Sequence, residues 1–277
     1  MKRVLTAVIL IPLVLLLILE APYWLQVLAG GILAELALQE YLVLADSSGT
    51  QAPRGLVLLC GAALFAIIYW IPYPGFLLPA LGVCALLLLG ICTLRSPVHQ
   101  ILADTSFSFF GLMYIAYPMA LAPLLLAQEN GKALFLFLLV VVWAGDITAF
   151  YVGQAWGQRR MAPTLSPKKT WEGAVGSLAG SVVCGLLLMA IGSLLYQHGF
   201  VLLLYPRPWW YWAALAALLN IAAQIGDLLE SALKRGAGVK DSGTLLPGHG
   251  GVLDRLDALL VALPVLWYVL LFQQSYF

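Results

Sequence analysis

Residues 133–153 read ALFLFLLVVVWAGDITAFYVG, an apolar run of 21 residues in which Asp146 is the only charged side chain. A helix of this length spans about 30 Å, the thickness of the hydrocarbon core of a bilayer. The apolar residues are continuous and do not alternate with period two, so the run predicts a transmembrane helix and disfavours a transmembrane barrel. Asp146, buried in this span, is the first candidate functional residue.

The same pattern recurs along the whole chain, which is 62% hydrophobic and 10% charged, with a mean hydropathy of +0.96. We predict an all-α polytopic membrane protein with about nine transmembrane helices. The predicted spans are residues 4–20, 24–45, 55–72, 75–94, 107–127, 133–153, 171–196, 209–233 and 256–273. No small-residue cleavage site follows the first span, so we expect a retained anchor helix and not a signal peptide.

The distribution of basic residues predicts the orientation. With the N-terminus in the cytoplasm, twelve lysines and arginines fall on the inside and two, Lys132 and Arg207, fall outside. This bias follows the positive-inside rule, and it puts both long basic loops, 154–170 and 234–255, in the cytoplasm. The inside residues are Lys2, Arg3, Arg54, Arg95, Arg159, Arg160, Lys168, Lys169, Lys234, Arg235, Lys240 and Arg255. We therefore expect a polar cleft that faces the cytoplasm.

Polar side chains divide the chain into two predicted parts. Residues 1–130 hold few groups that could do chemistry, and we predict a scaffold that contributes lipid entry or dimer contacts. Residues 131–277 contain both basic loops and are the predicted catalytic half. Within the scaffold, Glu35 and Glu40 lie in the second span, where a structural pairing within the helix bundle is favoured over a place in the site. The four cysteines form no CxxC pair and are expected to be small buried hydrophobes.

Five of the thirteen acidic residues are concentrated in the stretch 220–257, NIAAQIGDLLESALKRGAGVKDSGTLLPGHGGVLDRLD. Spacings of three and four place one stripe of polar side chains on a helix, and Glu230 lies beside it. The stripe consists of Asn220, Gln224, Asp227, Ser231 and Lys234. Asn220 and Gln224 suit hydrogen bonds between helices. Asp227 and Glu230 would repel each other unless a cation lay between them.

The loop from Lys240 to Asp257 is rich in glycine, so its backbone can approach a ligand closely. Asp254 and Asp257 follow it in the first turn of the ninth predicted span, where we expect Asp257 to act partly as a helix cap. Asp227 and Asp254, from successive helices, could bridge a pair of hard cations. Oxygen ligands without cysteine favour Mg²⁺ over Zn²⁺.

A third group of polar residues lies in the stretch 146–173. The segment Ser166-Pro167-Lys168-Lys169-Thr170 offers lysines and hydroxyls at the predicted start of the seventh span, with Thr170 as a plausible N-cap. Such a helix start suits a polyphosphate. The glycines that follow have the spacing of close helix contacts, and these are Gly173, Gly176 and Gly180.

These motifs together resemble the phosphatidate cytidylyltransferases, also called CDP-diacylglycerol synthases. The resemblance rests on Ser231–Arg235, on Lys240–Ser242, and on Leu246–Asp257, which reads LPGHGGVLDRLD. It also includes SPKKTWEG at 166–173 and the stretch from Gln224 to Ser231. The resemblance implies transfer of CMP from CTP to phosphatidate, giving CDP-diacylglycerol and pyrophosphate in phospholipid biosynthesis. It further implies a multi-pass homodimer in the bacterial inner membrane whose site faces the cytoplasm.

The resemblance also assigns residues to roles. Asp227 and Asp254 would hold Mg²⁺ and a second cation of a pair, with Glu230, Asp241 and Asp257 in support. Phosphate contacts are assigned to Lys234, Arg235, Lys240 and Arg255, and His249 would orient a phosphate or a carboxylate. The CTP side would contain Asp146, Ser166, Lys168, Lys169, Thr170 and Glu172. Gln154 departs from the pattern, because many relatives have a basic residue at that position.

Two other functions remain open at this point. A CTP-dependent polyprenol or lipid kinase would use similar loops but would transfer the terminal phosphoryl group. An ion-coupled transporter would use Asp146 and Asp227 as ion ligands and would consume no CTP. We expect membrane lipids as neighbours and no nucleic acid as a partner.

Overall fold

A computed structural model describes residues 2–47, 49–199, 203–245 and 250–276, with side chains described between residues 11 and 273 of these ranges. The helices are α1 Lys2–Leu19, α2 Tyr23–Ser47, α3 Arg54–Trp70, α4 Leu77–Arg95, α5 Ile101–Gly111, α6 Tyr117–Leu126, α7 Gly131–Trp156, α8 Trp171–Gln197, α9 Trp209–Gly236 and α10 Leu253–Tyr276. A 3₁₀ turn at Pro74–Phe76 precedes α4, and a π-helical turn at Leu112–Ala116 joins α5 to α6. Two short strands, β1 Arg160–Ala162 and β2 Ser166–Thr170, complete the secondary structure.

The helices confirm the predicted fold class of an all-α multi-pass membrane protein. In the described ranges, seven helices are long and apolar enough to cross a membrane, and α3 is a shorter apolar helix of 17 residues. The seven are Tyr23–Ser47, Pro74–Arg95, Ile101–Leu126, Gly131–Trp156, Trp171–Gln197, Trp209–Gly236 and Leu253–Gln273. The orientation with a cytoplasmic N-terminus stays a prediction.

The fifth span begins six residues earlier than predicted, at Ile101 and not at 107. The added turns contain Asp104, and a charged residue is expensive inside a span. The structure satisfies this fully buried carboxylate, since it accepts hydrogen bonds from the Gln51 amide at 2.8 Å and the Ser96 hydroxyl at 2.5 Å. Helix α5 can therefore begin at Ile101 and include the charged side chain of Asp104.

The segment before α8 is a β-hairpin, whereas the sequence suggested a loop that opens the helix. Strands β1 and β2 pair antiparallel, with Arg160 opposite Thr170 and Ala162 opposite Ser166. Ala162 and Ser166 each precede a proline, and a residue before proline is pushed to extended backbone conformations. The predicted cap is confirmed, because the Thr170 side chain accepts a hydrogen bond from the Gly173 amide at 3.1 Å.

The chain forms two compact units. The first contains Met1–Leu124 together with Leu233–Leu256, and the second contains Leu125–Ala232 together with Asp257–Phe277. The last turn of α9 and the segment up to Leu256 therefore group with the N-terminal helices. The functional division into a scaffold and a catalytic half is a separate question and stays a prediction.

Helices α7 and α8 of the second unit pack through glycines, as the spacing predicted. A Cβ atom on Gly176 would lie 2.6 Å from Val152, and one on Gly180 would lie 2.3 Å from Thr148. The Ser181 hydroxyl crosses the same interface and donates to the Val141 carbonyl at 2.6 Å. Small residues let the two backbones approach, which is how helices associate when lipid removes the hydrophobic driving force.

Replacing Gly176 with alanine tests this packing. The added methyl group must displace Val152, a side chain with a stiff χ1 angle, so we expect a loss of about 1–3 kcal/mol in the free energy of unfolding. The matched control is Gly82→Ala in α4, where an added Cβ meets nothing within 4 Å. Thermal unfolding in detergent should show a lower midpoint for Gly176→Ala alone, and equal midpoints for the two variants would contradict the packing.

Candidate functional site

The second unit contains an open cleft of about 600 Å³. Four elements contribute its walls: α7, the β-hairpin, the first two turns of α8, and α9. The lining residues are Asp146, Ala149, Phe150, Gly153, Gln154, Arg160, Met161, Lys168, Lys169, Thr170, Gly173, Ala174, Ser177, Gln224, Asp227 and Leu228. Charged and amide side chains from segments far apart in the sequence therefore meet in one cavity.

Two carboxylates, Asp146 from α7 and Asp227 from α9, line this cleft. The sequence suggested that Asp146 is buried in its span, but the structure leaves its side chain exposed, because this face of α7 borders the cleft. Asp227 forms an ion pair with Lys169, at 2.6 Å between Oδ2 and Nζ. The pair is partly open, with 39% of the aspartate side chain and 25% of the lysine side chain exposed.

The β-hairpin supplies the positive side of the cleft. Lys168 and Lys169 are adjacent on β2, and Arg160 stands on β1. The Arg160 guanidinium donates to the Pro167 carbonyl, which ties the two strands together beside the lysines. Three cations on a short, paired segment give the cleft the charge that phosphate groups require.

Two residues assigned to the nucleotide side, Ser166 and Glu172, do not line the cleft. Ser166 pairs with Ala162 in the strand ladder. Glu172 accepts hydrogen bonds from the amides of Gln158 at 3.1 Å and Arg159 at 3.2 Å, so its carboxylate closes the connection between α7 and β1. Ser166 and Glu172 therefore stabilise the hairpin and its connection to α7.

Sequence reasoning did not assign Arg160, Met161, Ser177, Gln224 or Gln154 to the nucleotide site, although all five line the cleft. The basic character of the loop could have indicated Arg160. Nothing local to Met161 or Ser177 signals a cleft, because their place depends on how the hairpin folds back beside α8.

Below the carboxylates, an amide network joins α8 to α9. Asn220 donates to the hydroxyls of Ser177 and Ser181, both at 2.8 Å, and accepts from Gln224 at 2.6 Å. Gln224 also donates to the Ala174 carbonyl at 3.2 Å. The predicted interhelical role of Asn220 and Gln224 is confirmed, and Gln224 has a second place on the cleft wall.

A second charged cluster lies in the first unit, around Asp254. Its Oδ1 atom pairs with the Lys234 ammonium at 2.5 Å, and only 12% of the lysine and 8% of the aspartate side chain is exposed. Its Oδ2 atom accepts hydrogen bonds from the amides of Ser242 at 3.0 Å and Gly251 at 2.8 Å. Asp254 therefore contacts both described parts of the charged loop, which we define as residues 240–245 and 250–252.

Glu40 on α2 holds the same loop from another side. Its carboxylate is buried and accepts hydrogen bonds from the Ser242 hydroxyl at 3.0 Å and the amides of Val252 at 2.9 Å and Leu253 at 2.8 Å. The predicted structural pairing of Glu40 is thus present, with the charged loop and the start of α10 as its partner. Sequence reasoning missed this link, which joins residues more than 200 positions apart.

The capping role predicted for Asp257 is wrong. Helix α10 begins at Leu253, so Asp257 lies in its second turn, and its Oδ1 atom accepts the adjacent Ala258 amide at 2.7 Å. The first amides of α10 are satisfied by Glu40 instead. A cap supplied from a distant helix leaves no pattern near α10 in the sequence.

The other predicted site residues have varied surroundings. Arg235, Lys240, Asp241 and Arg255 are exposed, Glu230 is fully buried and does not line the cleft, and His249 lies outside the described residues. Within the described part of the chain, no three acidic, histidine or cysteine side chains form a ready metal-binding group.

Comparison with known proteins places this geometry in a family. The profile of the cytidylyltransferase family matches residues 1–273. The chain belongs to the cytidylyltransferase family. Family membership thus extends over the N-terminal helices, whose sequence had indicated hydropathy alone.

Individual relatives match over a shorter stretch. A phosphatidate cytidylyltransferase of Brucella abortus is 46% identical over 158 residues, 57% of this chain and 54% of the relative. Proteins of the same name from Bacillus subtilis and Mycobacterium bovis are 41% and 37% identical, over 52% and 61% of this chain and 49% and 51% of their own lengths. The matched stretch therefore spans about half the length of these curated relatives.

The two ion pairs predict different effects on stability. Lys234→Met leaves the carboxylate of Asp254 buried without its lysine, which typically costs about 3–5 kcal/mol. Lys169→Met is the matched control, because its partner Asp227 is partly solvated and such pairs contribute about 1 kcal/mol or less. Unfolding midpoints in detergent should fall for Lys234→Met and recover in part when Asp254→Asn is added. Equal shifts for the two lysine variants would refute the difference in burial.

Proposed function

We propose that this chain is a phosphatidate cytidylyltransferase, which transfers CMP from CTP to phosphatidate and releases pyrophosphate. The names of the relatives support this reaction, and so does membership in the cytidylyltransferase family. The observation that carries the proposal is the cleft of the second unit, where two carboxylates lie with three cationic side chains in an otherwise apolar helix bundle. Ionisable side chains within membrane helices are energetically costly, so a group of five indicates a functional site.

In the proposed reaction, an oxygen of the phosphatidate phosphate attacks the α-phosphorus of CTP. The new P–O bond forms as the bond from the α-phosphorus to the bridging oxygen breaks, and that oxygen leaves with pyrophosphate. A phosphate monoester has a second pKa near 6, so the nucleophile is already largely ionised at neutral pH and needs no general base. Repulsion between two highly charged reactants is the main barrier.

The cationic side chains of the cleft can neutralise part of the negative charge and so reduce this repulsion. We propose that Lys168, Lys169 and Arg160 bind the phosphates of CTP and hold the α-phosphorus in place. Arginine offers a planar fork for two phosphate oxygens, and lysine offers a mobile point charge, so the hairpin can follow a polyphosphate along its length. Lys234, Arg235, Lys240 and Arg255 remain proposed contacts for the phosphates of either substrate.

The donor set also fits Mg²⁺. This ion is usually held by one or two carboxylates together with waters and substrate phosphates, so a cluster of three acidic residues is not required. Asp146 and Asp227 would hold it in the cleft, and when bound it would supply charge neutralisation to the triphosphate. We keep Asp254 as a proposed second ligand. Because Lys234 and two amides occupy its oxygens, a cation there would compete with Lys234.

The remaining parts of the proposal rest on sequence. Glu230, Asp241 and Asp257 stay proposed supporting metal ligands, and His249 stays a proposed orienting residue. We propose a homodimer in the bacterial inner membrane with its cleft open to the cytoplasm, where CTP is available. The twelve basic residues on the predicted inner side support that orientation.

Radiolabelled CTP tests the reaction directly. Purified enzyme in detergent with phosphatidate and Mg²⁺ should transfer label from the α-phosphate of CTP to lipid and release the γ-label in pyrophosphate. Mass spectrometry should find CDP-diacylglycerol as the lipid product. Label from the γ-phosphate in lipid would instead establish the kinase, and solute uptake by vesicles without CTP consumption would establish the transporter.

Asp227→Asn tests the proposed metal ligand. Loss of one carboxylate in the cleft should lower kcat/KM about 10²- to 10³-fold, a typical effect of removing one electrostatic contact to the reacting group. The Mg²⁺ concentration for half-maximal activity should rise, and chelation by EDTA should abolish turnover in the unaltered enzyme. Asp46→Asn, which alters an exposed carboxylate paired with Arg54, is the control and should leave activity unchanged. Near-normal Mg²⁺-dependent turnover by Asp227→Asn would remove Asp227 from the metal site.

A further inference from the structure

Glu40 is the only acidic residue of the first three helices whose carboxylate, within the described residues, reaches the charged loop through hydrogen bonds. It lies on α2 among buried apolar residues such as Ala37, Leu38 and Tyr41. A charge in these surroundings is expensive, and three hydrogen bonds from one distant segment compensate for it. The loop backbone comes very close to it, because a Cβ on Gly243 or Gly251 would lie 2.4 Å or 2.3 Å from a Glu40 oxygen.

The hydrogen-bond pattern requires a carboxylate and not merely a polar side chain. Oε1 accepts the Val252 amide, and Oε2 accepts both the Leu253 amide and the Ser242 hydroxyl. A glutamine has nearly the same shape but replaces one oxygen with an NH₂ donor. In either orientation of that amide, a backbone N–H group would face another donor. The site therefore selects the two acceptors of glutamate.

Ser242 connects Glu40 to the second charged cluster. Its hydroxyl donates to Glu40 at 3.0 Å, and its amide donates to Asp254 Oδ2 at 3.0 Å. The other oxygen of Asp254 pairs with Lys234. A continuous set of contacts thus runs from Glu40 through Ser242 to Asp254 and Lys234, and the amides at the start of α10 fix the same end of the helix.

We propose that Glu40 is a positioning residue for cytidylyl transfer: it holds the charged loop and the start of α10 so that Asp254 and Lys234 keep the orientation that the reaction needs. This inference rests on the proposed function. Glu40 acts only through these side chains and contacts no substrate itself. Partners that orient ligands or catalytic side chains typically change activity about 10- to 100-fold when they are replaced.

Glu40→Gln tests the proposal, with Glu35→Gln as the matched control on the same helix. We expect kcat to fall about 10- to 100-fold in Glu40→Gln, with KM for CTP nearly unchanged, because the cleft of the second unit is intact. Glu35→Gln should keep the kcat of the unaltered enzyme. Wild-type kcat in Glu40→Gln, or an equal loss in Glu35→Gln, would overturn the proposal.

Ser242→Ala separates positioning from folding, since it removes one hydroxyl and leaves both carboxylates. We expect kcat to fall about fivefold and the free energy of unfolding to fall by only about 1 kcal/mol, the contribution of one hydrogen bond. The double variant Glu40→Gln/Ser242→Ala should be no slower than Glu40→Gln, because both changes break the same link. Unchanged kcat in Ser242→Ala, or fully additive losses, would contradict the link.

The same assays distinguish this inference from the proposed function. If the unaltered enzyme makes CDP-diacylglycerol and Glu40→Gln makes the same product at an equal rate, the positioning role fails alone. If the unaltered enzyme transfers no α-label to lipid, the proposed function fails first. Glu40→Asp, which keeps the charge but shortens the reach, should recover part of the lost kcat, whereas no recovery would count against the carboxylate requirement.

Discussion

The structure depends on one constraint: a carboxylate inside an apolar helix bundle must be matched by donors, and backbone amides of a nearby segment can supply them. Glu40 meets this constraint with the start of α10, and Asp104 meets it with the Gln51 amide and the Ser96 hydroxyl. Each buried charge thereby fixes a connection between helices that apolar packing alone would leave loose. In both cases a carboxylate on a helix accepts hydrogen bonds from the polar segments beside it and holds them in position.

The same principle separates the two charged clusters by their exposure. Asp254 and Lys234 are nearly buried and pair with each other, and Asp254 also accepts hydrogen bonds from two amides of the charged loop and its end. Asp227 and Lys169 are partly open and border a cleft of about 600 Å³. An open pair can exchange partners with a charged ligand, whereas a closed pair keeps a loop in place. This contrast supports the proposals that the cleft binds the nucleotide and that the loop is held in position.

Local patterns in the sequence predicted most of the helices, the Thr170 cap, the glycine contacts between α7 and α8, and the amide role of Asn220. These features depend on residues near one another in the chain. Asp146, Lys168, Lys169 and Thr170 were predicted as parts of one site and all four line the cleft, whereas Ser166 and Glu172 of the same predicted group do not; their role toward CTP stays a prediction. Glu40 could not be linked to Ser242 or Leu253, because no periodicity relates positions 200 residues apart. The hairpin was missed although Pro163 and Pro167 favour extended backbone before them.

Chemical labelling of the cleft tests directly whether the protein takes CTP from the cytoplasmic side. A cysteine in place of Met161, which lines the cleft, can be labelled with a membrane-impermeant maleimide in inside-out vesicles, and the unaltered chain is the control. We predict rapid labelling of Met161→Cys that CTP with Mg²⁺ slows and Mg²⁺ alone does not. Labelling that CTP leaves unchanged would show that the cleft does not bind the nucleotide, and labelling only in right-side-out vesicles would show that it does not open to the cytoplasm.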